Sequence, residues 1–150
     1  MNIFIQSLTF TAILLVISGC VPRATGPPLS QIEGPPPGKV VVYLYLSDYT
    51  NSAWSIYADD TLITRLVIHS YYRYVTDPGL KTFSIGKHPR SQDQVVVHFN
   101  GGEIHYIKLR INSWSTLLGR AFDVNLVQAP GWTALRELPG LRLVLPSDTE

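Results

Sequence analysis

From residue 40 onward, apolar and β-branched residues occur in short runs separated by Gly, Pro, Asn and Asp. Such runs predict β-strands, because branched and aromatic side chains suit a pleated sheet. The run at Val40–Leu46 is apolar at every position, which predicts a strand buried on both faces. The predicted strands are Val40–Leu46, Trp54–Ala58, Thr61–Leu66, Tyr71–Val75, Leu80–Ile85, Gln94–Phe99, Glu103–Ile111, Ala121–Val127 and Leu141–Leu145.

Turn residues between these runs predict how the strands are connected. Asp59-Asp60 predicts a short turn, although a two-residue loop usually contains Gly because it needs positive φ angles. Pro78-Gly79 fits the middle of a type II turn. Asn100-Gly101-Gly102 is the strongest hairpin signal in the chain, so we expect the two strands that flank it to pair.

One short helix is predicted near the C-terminus. Trp132, Leu135 and Leu138 recur at helical spacing and therefore share one face, and Pro139-Gly140 ends the pattern. Many short strands with closely spaced turns are typical of a β-sandwich rather than a parallel α/β sheet. The predicted fold is therefore all-β, an Ig-like or transthyretin-like β-sandwich over residues 40–150 with one short C-terminal helix.

The first twenty residues have a different pattern. An apolar run from Leu8 to Ile17 is followed by Ser18, Gly19 and Cys20. A core of this length that ends at small residues is typical of a signal peptide and is too short to span a bilayer. Ile17-Ser18-Gly19-Cys20 also resembles a lipobox, the motif at which bacterial lipoproteins are acylated on cysteine and cut just before it.

The lipobox predicts a signal peptide over residues 1–19 and lipidation, such as palmitate, at Cys20. An ordinary signal peptide or an uncut membrane anchor is the alternative, since no Lys or Arg precedes the apolar run. Several acyl chains hold a protein firmly on a membrane, whereas one chain binds marginally. Val21 stands where lipoproteins retained in the inner membrane typically have Asp, so the resemblance implies an outer-membrane protein facing the periplasm.

Residues 20–39 form a segment with six prolines and few large apolar side chains. Such composition tends to an extended, semi-rigid chain. We expect a Pro-rich spacer that lifts the domain off the membrane, and the alternative is a segment that lies along the domain surface.

Composition limits the classes of partner. The 131 residues from Cys20 onward fit one domain, and they carry twelve Lys and Arg against eleven Asp and Glu. This near-neutral balance lacks the basic surface of a nucleic-acid-binding protein. Cys20 is the only cysteine, so no disulfide can form within the chain, and stability must come from the apolar core.

Four segments resemble a family of bacterial lipoproteins grouped as domain of unknown function 2846. The resemblance covers roughly residues 40–145 and follows a lipobox. It implies a sandwich fold and an envelope location, and it supplies no catalytic residues. The matching segments are Ile56-Tyr57-Ala58-Asp59-Asp60 with Ile63-Thr64-Arg65-Leu66, Tyr72 to Gly79, Gly102-Glu103-Ile104-His105-Tyr106-Ile107, and Ala134-Leu135-Arg136-Glu137-Leu138.

A second likeness concerns the Pro-rich start, the strand Val40–Leu46 and the segment Trp54 to Asp60. Together they look like the small transthyretin-like lipoprotein of type VI secretion systems. The second half of the chain fits that family poorly, so an outer-membrane lipoprotein of such an assembly is the alternative function.

Candidate chemistry is sparse. If Gly101-Gly102 forms a two-residue loop, the strand pairing puts His98 opposite His105, at a spacing that lets two imidazoles share a metal. Two ligands do not make a zinc site, so these histidines are weak metal candidates and an ordinary pair is expected. No nucleophile elbow or phosphate loop is present, which favours a protein without catalysis or cofactor over an envelope hydrolase.

Aromatic residues offer better interaction candidates. Tyr43 and Tyr45 share one strand face and could stack on peptidoglycan sugars or contact an envelope protein if exposed, although core packing is expected. The segment from 112 to 120, predicted as a loop, carries Trp114, Leu117 and Leu118 where loops are usually polar. These residues predict a contact surface or a flap over one end of the sandwich. The predicted protein is thus a lipid-anchored binding or structural module of the bacterial envelope.

Overall fold

The computed structural model describes residues 21–87, 89–90, 93–116, 119–145 and 148. Two β-sheets pack face to face, which confirms the predicted all-β sandwich with one short C-terminal helix. The strands are β1 Val40–Leu46, β2 Trp54–Ala58, β3 Thr61–Leu66, β4 Ser70–Thr76, β5 Gly79–Ile85, β6 Gln94–Phe99, β7 Ile104–Thr116, β8 Gly119–Gln128 and β9 Arg142–Leu143; the helix α1 is Gly131–Glu137.

Strand β1 is the centre of the first sheet, which has the order β8-β7-β1-β4-β9. It runs antiparallel to β4, from Val40 opposite Thr76 to Leu46 opposite Ser70. On its other edge it runs parallel to β7. All seven β1 side chains are fully buried, so the prediction of a strand covered on both faces is confirmed.

One face of the first sheet packs on the second sheet, which has the order β3-β2-β5-β6. Because side chains alternate along a strand, Val40, Val42, Leu44 and Leu46 all point into this inner core. Phe83 and Phe99 meet them from the second sheet with their ring centroids 6.0 Å apart. Each fully buried side chain of this size stabilises the fold by about 1.5–3 kcal/mol.

The opposite face of the first sheet carries a second apolar layer. Tyr43 packs there against Tyr106, with ring centroids 5.9 Å apart and an interplanar angle of 22°. The helix α1 covers this layer through Ala134, and Leu138, in the 3₁₀ turn that directly follows α1, covers it as well; both residues are fully buried. The molecule is therefore a sandwich with a third, partial layer made by α1 and the N-terminal segment.

The short helix was predicted correctly, but of the three residues on the predicted apolar face only Leu138 is buried. Trp132 and Leu135 are 69% and 53% exposed, whereas Ala134 and Leu138 are at 0%. Ala134 and Leu138 are four residues apart and so lie on one helix face. The small Ala134 side chain lets the helix backbone approach the sheet closely, which a pattern of large apolar residues alone does not reveal.

Residues 21–39, which we call the N-terminal strap, lie along the domain surface. Arg23 forms a parallel bridge with Ile68, and Pro28 forms an antiparallel bridge with Arg142. Leu29 and Ile32 pack against the second apolar layer. The predicted spacer is therefore wrong, and its alternative is correct.

Backbone hydrogen bonds explain why so Pro-rich a segment is held in place. The Gly26 amide donates to the Leu143 carbonyl at 3.1 Å, and the Leu143 amide donates to the Pro27 carbonyl at 3.0 Å. The Leu29 amide donates to the Leu141 carbonyl at 3.2 Å. The strap thus satisfies and covers the edge of the first sheet at β9, which would otherwise expose unpaired backbone groups.

The hairpin predicted at Asn100-Gly101-Gly102 does not form. Strand β6 belongs to the second sheet and pairs with β5, whereas β7 joins the first sheet beside β1. The Gly102 amide donates to the Lys39 carbonyl at 2.8 Å, and the Val41 amide donates to the Glu103 carbonyl at 3.1 Å. These bonds fix the backbone where the chain crosses from the second sheet to the first. The prediction of a turn at Asn100-Gly101-Gly102 is therefore correct, and the prediction that the flanking strands pair is wrong.

The turn at Asp59-Asp60 is the two-residue loop whose φ angles are positive at both positions, 45° and 66°. Asp59 accepts hydrogen bonds from Lys81 Nζ at 2.7 Å and from the Thr82 amide at 3.0 Å. The Lys81 ammonium and the Thr82 amide together lower the pKa of the Asp59 carboxyl. These contacts favour the conformation that a Gly would otherwise be expected to supply.

Candidate functional site

The sequence predicts a loop over residues 112–120, but the described residues of this segment, 112–116 and 119–120, belong to two strands. Strand β7 continues to Thr116, and β8 starts at Gly119. The register with β1 ends at Tyr45 opposite Lys108, so β7 extends eight residues past the last residue paired with β1. At about 3.3 Å per residue this two-stranded ribbon reaches roughly 25 Å along the strand direction.

The ribbon explains why one apolar side chain is exposed. Val124 and Leu126 lie in the inner core, and Phe122 follows the same alternation, yet its side chain is 64% exposed. Phe122 lies opposite Ser113 on the part of the ribbon that extends past β1. An apolar residue on the core face thus becomes part of the surface at one end of the sandwich.

A groove of about 590 Å³ opens between this ribbon and the loop that joins β1 to β2. We call it the end groove. Its aromatic walls are Tyr49, which is 74% exposed, the half-buried Trp54, and Phe122. Its other lining residues are Asp48, Thr50, Asn51, Ser52, Ile111 and Ser113.

Side-chain hydrogen bonds hold the loop of the end groove in shape. Asp48 Oδ2 accepts from the Ile111 amide at 3.2 Å, which ties the loop to β7. Thr50 Oγ1 accepts from the Ser52 amide at 3.1 Å and lies 3.4 Å from Trp54 Nε1. The groove therefore has a formed wall before any ligand binds.

The chemistry of the end groove suits a polar ligand with a flat apolar face. Exposed aromatic rings can cover such a face, and hydroxyl and amide groups beside them can accept and donate hydrogen bonds. Asp48 is engaged by the Ile111 amide and lies 3.7 Å from Lys108 Nζ, so it acts as a positioning residue of the loop. Saccharides combine apolar ring faces with hydroxyl groups and match this lining.

Lys108 forms a polar cluster beneath the helix. Its Nζ lies 3.0 Å and 3.1 Å from the two carboxylate oxygens of Glu137, and its side chain is only 14% exposed. Burial raises the pKa of the neighbouring Tyr45 hydroxyl, and the Glu137 carboxylate adds to this rise. The Tyr45 hydroxyl lies close enough to the Glu137 carboxylate to interact with it, but within the part of the chain that is described it makes no hydrogen bond of regular geometry.

The interaction residues predicted from the sequence are not among the described residues that line the end groove. Tyr43 and Tyr45 are fully buried, so core packing is confirmed for them and an exposed aromatic row is wrong. Trp114 lies in β7 near the groove. Leu117, Leu118, Cys20 and the signal peptide at 1–19 lie outside the described residues.

The two histidines do not form a pair, because β6 and β7 belong to different sheets. His98 lies on β6 opposite Leu80 of β5, and its side chain is exposed. His105 Nε2 is 2.8 Å from Glu103 Oε2, and its Nδ1 is 3.2 Å from Gln128 Nε2. Both ring nitrogens of His105 already have protein partners, so the weak metal hypothesis for this pair is wrong.

Tyr49 and Phe122 are the site residues that the sequence analysis missed. Tyr49 stands in a polar loop, where an isolated aromatic residue is a signal for binding. Phe122 lies in the predicted strand Ala121–Val127, where alternation identifies the face of a strand and does not show where the opposite sheet ends.

Among the described residues, no group of three or more His, Cys, Asp or Glu side chains is placed to hold a metal ion. None of the helices in that part of the chain is long and apolar enough to cross a membrane. Comparison with family models, with curated proteins and with solved structures gave no match to this chain.

Proposed function

We propose that this protein is a lipid-anchored binding module of the bacterial envelope that acts without catalysis. The end groove, with Tyr49 and Phe122 exposed on either side, is the observation that carries the binding role. Its ligand is a saccharide of the envelope, whose ring face covers the aromatic side chains. Membership of the family named domain of unknown function 2846 is part of this proposal.

The anchor rests on the sequence at Cys20. Ile17-Ser18-Gly19-Cys20 supports acylation of the cysteine, and Val21 supports sorting to the outer membrane. Replacing Cys20 by Ser should leave the protein uncleaved and without added lipid. Unchanged processing and unchanged labelling with a fatty-acid probe would refute the anchor.

The binding role is tested with the protein purified from envelopes in detergent. Two probes are used, namely purified peptidoglycan sacculi in co-sedimentation and lipopolysaccharide on beads. The native protein should bind at least one of them. Phe122→Ala and Tyr49→Ala should each weaken that binding about ten-fold, because covering roughly 60 Å² of ring surface contributes about 1.5 kcal/mol.

Trp132 supplies the matched control. It is an aromatic residue of similar exposure, 69%, and it lies on α1 away from the lining of the end groove. Trp132→Ala should therefore bind as the native protein does. Equal losses in all three variants, full binding by the two groove variants, or no binding of either probe by the native protein would each contradict the proposed role.

A further inference from the structure

A second groove, of about 430 Å³, opens next to the end groove and shares Tyr49 with it. We call it the basic groove. Three of its lining residues carry basic side chains, namely Arg23, His69 and Arg142. The others are Ala24, Tyr49, Ile68 and Gly140, so none of the described residues that line it is acidic.

Three separate parts of the chain build the basic groove. The strap brings Arg23 to Ile68 through a β-bridge. The turn between β3 and β4 places His69 at a φ angle of 50°, a conformation that non-glycine residues adopt rarely. The Arg142 amide donates to the His69 carbonyl at 3.1 Å, which fixes β9 beside that turn.

The charges of this groove are available to a ligand. Arg142 Nη1 donates to the Gly26 carbonyl at 3.2 Å, which orients the guanidinium and leaves its other donors. Arg23, His69 and Arg142 are all exposed side chains. Arg23 and Arg142 line the same groove, and no carboxylate is among its described lining residues, so the two guanidinium groups give it a positive potential. A phosphate is the anion whose geometry arginine matches best.

The covalent distance to the anchor indicates where such phosphates lie. Arg23 follows Cys20 by three residues, so even a fully extended chain separates their Cα atoms by at most about 11 Å. An acyl group at Cys20 would therefore hold the basic groove next to the bilayer surface. Lipid phosphates are the anions most concentrated at that position.

We propose that the basic groove binds the phosphate of anionic lipid headgroups, so that this end of the sandwich docks on the membrane. This inference rests on the proposed anchor at Cys20. The end groove shares Tyr49 with the basic groove, so it then opens close to the bilayer as well. A saccharide bound there belongs to the membrane surface rather than to a distant layer of the envelope.

The test uses full-length protein purified from envelopes and reconstituted in phosphatidylcholine vesicles, with or without phosphatidylglycerol. Gly140→Cys provides a labelling position in the basic groove, because an added Cβ meets no atom within 4 Å there. An environment-sensitive fluorophore on this thiol should shift to shorter wavelength only when phosphatidylglycerol is present. Gly101→Cys is the control, since Gly101 lies near Pro78 and Gly38, at the opposite end of the strands, and tolerates a Cβ at 3.5 Å from its nearest neighbour.

Charge variants of the labelled protein identify the residues responsible. Arg23→Gln and Arg142→Gln should each lower the ratio of docked to undocked protein about five-fold, the effect of one cation near an anionic surface. Lys39→Gln removes the same charge beside Asp77, at the start of β1, and should leave the ratio unchanged. Inorganic phosphate added to phosphatidylcholine vesicles should not shift the fluorophore.

Mass measurement of the intact protein separates the two proposals. Without acylation, the mass lacks the lipid and Cys20 takes up a second fluorophore, which would refute the anchor itself. With acylation shown, the basic-groove inference is overturned by an unshifted fluorophore at residue 140 or by an equal shift at residue 101. It is also overturned if both arginine variants dock normally or if free phosphate alone gives the full shift.

Discussion

Replacement of Gly26 by Ala tests whether the N-terminal strap is part of the folded domain. A Cβ at residue 26 would overlap the carbonyl oxygen of Leu143 and approach Leu143 Cβ to 2.8 Å. Both atoms belong to Leu143 of β9, one to its backbone and one to the first carbon of its side chain. Neither can move aside as the end of a flexible side chain could. The strap must therefore shift away from the sheet edge.

The magnitude follows from the bonds that this shift breaks. Three backbone hydrogen bonds join the strap to residues 141–143, at 3.0 Å, 3.1 Å and 3.2 Å. At a net contribution of about 1 kcal/mol each, their loss should lower the free energy of unfolding by about 2–4 kcal/mol. For a domain of this size the melting temperature should fall by about 3–5 °C for each kcal/mol.

Gly34→Ala is the matched control in the same segment, because an added Cβ at residue 34 meets nothing within 4 Å. It should leave stability unchanged or raise it by up to about 1 kcal/mol through the unfolded state. Urea unfolding and thermal unfolding of both variants supply the comparison. Equal stability of Gly26→Ala and Gly34→Ala would refute the packed strap and restore the spacer.

Three further predictions concern polar groups. Tyr45→Phe should preserve or slightly raise stability, because the Tyr45 hydroxyl is buried and makes no hydrogen bond of regular geometry among the described residues. Tyr43→Phe should cost about 1 kcal/mol through the lost 2.9 Å bond from the Glu33 amide, and urea unfolding distinguishes the two variants. Lys108→Met should lower the free energy of unfolding by about 1–3 kcal/mol, since it leaves a partly buried carboxylate unpaired, and a loss below 0.5 kcal/mol in the same assay would contradict this. Hydrogen bonds from Asn100, followed by the contact with His105, lower the pKa of Glu103 to about 2. The stability that the Glu103 carboxylate contributes is therefore present above its unfolded pKa near 4.5 and is lost as the pH falls toward 2. Unfolding of Glu103→Gln measured between pH 7 and pH 2 should show a weaker acid dependence than the native protein, and identical pH profiles would refute that role.

Strand positions could be predicted well from the sequence because each depends on a local pattern. Val40–Leu46, Trp54–Ala58, Thr61–Leu66 and Gln94–Phe99 have the predicted bounds. The apolar and β-branched residues of Val40–Leu46, Trp54–Ala58 and Gln94–Phe99 contrast sharply with the Asp and Asn residues that follow them. Local contrast of this kind needs no knowledge of the partner strand.

Strand partners could not be predicted, because pairing is decided by distant residues. Asn100-Gly101-Gly102 forms a turn whether or not the next strand pairs with the last, and here the unpaired edge of β1 takes β7 instead. The position of the strap could not be predicted for the same reason. It depends on hydrogen bonds to β9, which is more than a hundred residues away along the chain. Its own composition gives no sign of that edge.

The site was missed for a related reason. The exposure of Phe122 depends on where the second sheet ends, and the exposure of Tyr49 depends on the loop that Asp48 ties to β7. Both are properties of the assembled end of the sandwich. The sequence indicated this region only through Trp114, which lies on the same ribbon.

The packed strap limits which ligand the end groove can reach. With residues 23 and 28 bridged to the domain, the only free length between an acylated Cys20 and the sandwich is about three residues, or about 11 Å. An acylated Cys20 would hold the groove within reach of saccharides at the membrane surface. If the groove binds only sacculi, the strap must detach, and Gly26→Ala should then strengthen sacculus binding. If the groove binds saccharides at the membrane surface, Gly26→Ala should weaken the binding of those saccharides.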